Sequence, residues 1–208
     1  MSRALRRVAA LCASLLAAGC GPEAPSPLDG PDGTAQQALD ACFLGDVPGG
    51  LALVARRAAR DDVDALTARA LCRWMAFAAD SSRADAEGAL GDLDLAIRLA
   101  AEQPHETPLD HLYAHRAFAR QAVAPGDWAA TLDDLDAAIR LAPGSARHLL
   151  DRAFVRLAQA DTAGAVADLE RVLLVDAQDT ARLDLAARTL DELADDLAFR
   201  DQETVVFE

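Results

Sequence analysis

From Thr34 onward the apolar positions recur three and four residues apart, and no stretch alternates apolar with polar at period two. The pattern predicts helices at roughly 35–44, 49–60, 62–79, 84–101, 109–122, 127–141, 146–159, 163–175 and 180–197. Breakers separate them: Val47-Pro48-Gly49-Gly50, Ser81-Ser82, Gln103-Pro104 with Pro108, Pro125-Gly126, Pro143-Gly144 and Ala177-Gln178-Asp179. Connections this short make consecutive helices antiparallel hairpins.

The pattern also repeats as text. Asp134-Leu135-Asp136-Ala137-Ala138-Ile139-Arg140-Leu141-Ala142 nearly copies Asp92-Leu93-Asp94-Leu95-Ala96-Ile97-Arg98-Leu99-Ala100, and a looser copy runs Asp168 to Leu174. Asp134 and Asp168 lie 34 residues apart. A unit recurring near that period must stack on its neighbours to bury its apolar face. The first helices carry a shorter signature, Arg116-Ala117-Phe118 and Arg152-Ala153-Phe154. Each Arg precedes a second-helix Asp, which predicts an ion pair across the hairpin or to a neighbouring unit. Aligning the earliest unit, 69–104, on Ala76 puts Met75 in place of that Arg and Phe77 level with Phe118 and Phe154.

These units resemble the tetratricopeptide repeat family. Gly126-Asp127-Trp128, followed by Leu132, Leu135, Ala138, Ile139, Leu141 and Pro143, looks like the second helix of one unit. Trp128 takes the family's aromatic place, Ala138 a small-residue place and Pro143 the terminal proline, while Thr131 stands where Ala is usual. The next unit, 146–179, has Ala153, Ala165 and Val172 at the small places, with Thr162 for the aromatic and Ala177 for the proline. The resemblance implies an all-α antiparallel helix-hairpin solenoid with about three units over 61–179. An N-terminal hairpin (34–60), a capping helix (180–199) and a tail (200–208) complete it. It also implies a non-catalytic protein-interaction role, with a groove lined by the first helices. Phe77, Phe118 and Phe154 would then form an apolar ladder for an extended or helical peptide. Arg73, His111, Gln121, Arg147, Leu150 and Leu157 would flank it. The alternative is that these phenylalanines pack between adjacent first helices as core.

The N-terminus reads as a targeting segment. Arg3, Arg6 and Arg7 precede an apolar run from Val8 to Ala18, too short to span a hydrocarbon core about 30 Å thick. Residues 1–19 are therefore a signal peptide. Leu16-Ala17-Ala18-Gly19-Cys20 resembles a bacterial lipobox, with Ala17 where Leu is usual, so Cys20 is the expected lipidation site; plain secretion after Gly19 is the alternative. Residues 20–33, rich in Pro and Gly, read as a disordered tether. Gly21 after that cysteine points to a lipid anchor in the outer membrane, facing the periplasm of a bacterial cell envelope.

Loss of residues 1–19 removes three Arg and takes the net charge from −14 to about −17. Such a chain repels nucleic acid and anionic headgroups, touches the membrane only through its lipid, and favours a basic protein or peptide partner. A solvated acidic surface kept for solubility is the blander reading. With Cys20 lipidated, Cys42 and Cys72 remain as an even pair in an oxidising compartment, either bonded or free and buried.

Chemistry is sparsely represented. His111 and His115 share a helix face at i, i+4, with His105, Glu106 and Asp110 near in sequence, a spacing that can seat zinc. The pair lacks the intervening Glu of a metalloprotease and a fourth ligand. Metal or ligand binding there is one alternative function, and a self-assembling structural role with an unused groove is another. There is no nucleophile elbow and no glycine-rich phosphate loop, so the sequence calls for no enzyme, no cofactor and no metal.

Overall fold

The computed structural model describes residues 34–175 and 180–205; the leader, the lipobox with Cys20 and the tether lie outside the described residues. Nine helices and no strands occur among them. They are α1 (Thr34–Phe43), α2 (Val47–Ala58), α3 (Val63–Asp80), α4 (Arg83–Leu99), α5 (Leu109–Val123), α6 (Trp128–Leu141), α7 (Ala146–Ala158), α8 (Thr162–Val175) and α9 (Thr180–Val205). All bounds fall within two residues of the sequence expectation except the end of α9. That helix continues through 200–205, expected as a tail, because Arg200-Asp201-Gln202-Glu203 contains no breaker.

The helix ends follow from local chemistry. Asp62 Oδ1 accepts from Ala65 N at 2.8 Å to start α3, and Asp46 Oδ1 accepts from Gly49 N at 2.9 Å to start α2, where Pro48 needs no donor. Ser82 and Ser145 cap α4 and α7 in the same way. Ser81 closes α3 in the left-handed region, φ 59°.

The chain divides into two compact units after Leu141. In the first, hairpins α1/α2, α3/α4 and α5/α6 pack in order. Its core is alanine-lined and closed by a few larger side chains, among them Val54, Leu66, Leu93 and Leu112. Cys42 in α1 and Cys72 in α3 are joined in a disulfide with a Cα separation of 5.6 Å, both inside this core. Gly50 of α2 lies against the bridge. A Cβ there would run into Cys42 Sγ and the Ala38 carbonyl, so only glycine lets α2 approach this closely.

The connection between α4 and α5 is longer than the others, and α3 holds it down. The Asp64 carboxylate accepts from Thr107 N (2.9 Å), Thr107 Oγ1 (2.7 Å) and Glu106 N (3.1 Å), while the His105 ring bridges the carbonyl oxygens of Ala100 and Thr107. In the second unit α7 and α8 form a hairpin, and α9 packs on both.

Candidate interaction surface and the frame behind it

Each repeat hairpin is built around one buried aspartate held by two arginines. In the α5/α6 hairpin, Arg116 of α5 donates from Nε and Nη2 to Asp134 of α6 at 2.9 and 2.6 Å. Arg120, one turn on, places Nη1 3.1 Å from Asp134 Oδ2 and donates to the Ala130 carbonyl at 2.8 Å. In α3/α4 the same roles fall to Arg69, Arg73 and Asp92, with Arg73 donating to the Gly88 carbonyl. In α7/α8 they fall to Arg152, Arg156 and Asp168, with Arg156 donating to the Gly164 carbonyl. The planar guanidinium fork matches a carboxylate edge, and the second arginine uses a further lone pair.

The electrostatics are local. The hydrogen bond to Asp92 raises the Arg69 guanidinium above its ordinary range against the effect of burial. For Arg116 burial is the largest influence and works the other way, but the bonds to Asp134 and Asp94 still leave it raised. Asp94 lies on α4, 3.0 Å from Arg116 Nη1, so the fork also ties one hairpin to the next within the first unit. Tyr113 lies beneath the same guanidinium, its ring centroid 5.3 Å away.

This frame corrects the repeat register. The residue equivalent to Arg116 and Arg152 is Arg69, not Met75, and the buried small residue after it is Ala70, matching Ala117 and Ala153. Leu71 therefore stands where Phe118 and Phe154 stand, and Phe77 falls outside the series. The textual alignment failed because α3 is longer and its turn later. Arg69 and Asp92 are 23 residues apart, against 18 for Arg116–Asp134 and 16 for Arg152–Asp168. Phe77 packs instead on Trp74, with centroids 5.4 Å apart.

The remaining expected groove residues divide. Arg73 is engaged in the α3/α4 frame. Gln121 turns to its own hairpin, donating to Thr131 Oγ1 at 2.6 Å and to the Asp127 carbonyl at 3.2 Å. Phe118, His111 and His115 are half-buried on α5. Asp110 Oδ2 lies 3.7 Å from His111 Nε2, and the His115 ring meets His111 edge-on with centroids 6.3 Å apart. In the second unit Leu150 and Phe154 are buried, while Arg147 and Leu157 are half-buried.

Sequence reasoning passed over Asp151. The residue is half-buried, but its Oδ2 is shut off from solvent and has no hydrogen-bond partner. Burial pushes this carboxyl up to about 6, against the opposing charges of Arg147 and Arg182. It also passed over the second arginine of each frame. The signal was present as Arg69-x3-Arg73, Arg116-x3-Arg120 and Arg152-x3-Arg156, one helical turn apart.

No protein-family model matches the sequence, and no curated protein does. Among solved structures the chain is similar to a chain of the APC/C hetero-tetramer Cut9–Hcn1, with 20% identity and a TM-score of 0.59. The match covers 76% of this chain and 30% of that one. The likeness is one of fold, and the fold is tetratricopeptide-like.

Proposed function

We propose that this chain is a non-catalytic adaptor that captures a protein or peptide on the first-helix side of its repeats, anchored in a bacterial envelope by lipid on Cys20. The observation that carries it is the repeated hairpin frame. Asp92, Asp134 and Asp168, the buried carboxylates of the hairpin frames, are each held by two arginines and so serve as scaffolding. Phe118 is half-buried on α5, a helix thus fixed, as a rigid anchor for a partner should be. The net charge of −14 favours a basic partner.

The Cys42–Cys72 bridge supports the envelope reading, since a core disulfide persists in an oxidising compartment. Among the described residues no helix is long and apolar enough to cross a membrane. Fractionation of a Cys20→Ser variant tests the anchor: release from the membrane fraction is expected, and unchanged membrane association refutes lipidation. Crosslinking in the native envelope, followed by identification of the adduct, tests capture. A discrete protein adduct is expected, and its absence counts against the adaptor.

A further inference from the structure

The connection between α4 and α5 leads into a helix that no side chain caps. Asp46, Asp62, Ser82 and Ser145 cap α2, α3, α4 and α7, whereas α5 follows Pro108 with no such bond. The start of α5 is fixed from outside instead. Asp64 of α3 accepts from the Glu106 and Thr107 amides, and the half-buried His105 ring meets the carbonyl of Thr107, the residue just before Pro108.

Both partners of the His105 ring are acceptors. Nδ1 lies 2.8 Å from the Thr107 carbonyl oxygen, and Nε2 lies 3.1 Å from that of Ala100, the C-cap of α4. A carbonyl oxygen only accepts, so both contacts are hydrogen bonds only when both ring nitrogens carry a proton. A neutral ring donates from one nitrogen and sets a lone pair against the other oxygen. Ala100 also belongs to a helix C-terminus, where carbonyls lack intrahelical donors and a cation is favoured. The charged groups of the surrounding elements are mostly acidic. They are Asp64 on α3, Glu102 and Glu106 on the connection, and Asp110 beside His111 in the first turn of α5. Asp62 before α3 is paired with Arg57, and Arg98 stands in the last turn of α4. We propose that His105 is a proton-dependent brace. Doubly protonated, it ties the end of α4 to the start of α5; with one proton gone it keeps the shorter Nδ1 bond, releases the Ala100 carbonyl and loosens the 100–108 connection. The loosening extends to the first turn of α5 and stops before the Arg116–Asp134 fork. This device is independent of the adaptor reading.

The test follows the full chain, carrying Cys20→Ser so that no lipid is attached, from about pH 5 to 8, the range over which an imidazole changes charge. Nitrogen chemical shifts report the protons on the His105 ring. Hydrogen exchange, corrected for its intrinsic pH dependence, reports protection of the Glu106 and Thr107 amides. Both ring nitrogens should be protonated at the acidic end and Nδ1 alone at the basic end. Protection should fall roughly tenfold over the same step, the weight of one charge-assisted hydrogen bond. The Ala65 amide, capped by Asp62, should keep its protection. His105→Gln should abolish the fall, and His111→Gln should leave it in place. Protection that does not change with pH overturns the proposal, as does a fall that survives in His105→Gln or disappears in His111→Gln. A ring that carries a single proton throughout overturns it equally.

Discussion

Arg116 grips Asp134 through two parallel hydrogen bonds of 2.9 and 2.6 Å, with the aspartate side chain only 3% exposed. The same fork recurs at Arg69–Asp92 and Arg152–Asp168, each time with a second arginine one turn on. Hairpin geometry is thus set by a charge cluster that recurs in each repeat.

Removing the carboxylate leaves two guanidinium groups facing a desolvated gap. Asp134→Ala is expected to destabilise the chain by about 3–5 kcal/mol, and Arg116→Lys, which loses the fork but keeps the charge, by about 1–3 kcal/mol. Urea unfolding followed by circular dichroism measures both. A loss below about 0.5 kcal/mol for Asp134→Ala, the range of an ordinary surface substitution, would show that the frame is ornamental.

The disulfide closes a sequence separation of 30 residues between α1 and α3. Replacing Cys42 and Cys72 together by Ala is expected to cost about 2–4 kcal/mol, mostly by releasing the unfolded chain. Thiol titration of the denatured, unreduced protein should find neither cysteine free. Titration of both without reductant would exclude the bridge.

Gly50→Ala places a methyl group against Cys42 Sγ and the Ala38 carbonyl. The expected outcome is a shift of α2 that destabilises the first hairpin, with a lower melting temperature and easier reduction of the bridge. Ala at the exposed Gly91, where a Cβ meets nothing, is the control and is expected to be neutral or stabilising.

Asp151 makes stability depend on pH in a direction opposite to a salt-bridged carboxylate. Its folded pKa, about 6, lies above the ordinary 3.8, so between these values the folded chain holds the proton more tightly than the unfolded one. The stability it contributes is present below about pH 4 and is lost as pH rises through 6, with a span on the order of 3 kcal/mol. Unfolding of Asp151→Asn, compared with the unsubstituted chain from pH 4 to 7, should show the difference shift by that amount in favour of the variant. A pH-independent difference would mean that the carboxyl titrates normally.

Most helix boundaries were legible because Pro, Gly and Ser breakers with capping Asp and Ser leave little choice of where a helix starts. Ion pairs at Arg116–Asp134 and Arg152–Asp168 were legible from their recurrence. The first repeat was not, because Ala76-Phe77 matches Ala117-Phe118 as text. The structure matched Arg69-Ala70 instead, through a longer α3 whose extra turns no local signal announces. Groove membership was the least legible. Whether Arg73 faces a partner or the Gly88 carbonyl depends on the neighbouring helix, which periodicity does not supply. The desolvation of the Asp151 carboxyl is of the same kind: a lone acid beside Arg152 reads as surface, because periodicity does not say what packs around it.

The central claim, capture of a protein on the first-helix side, is tested most directly by a photoreactive residue at Phe118 in the native envelope, with Arg140 as the control position on a second helix. Capture on that side predicts a discrete adduct with a different protein from position 118 and none from position 140. No adduct from 118, or adducts confined to 140, would contradict it.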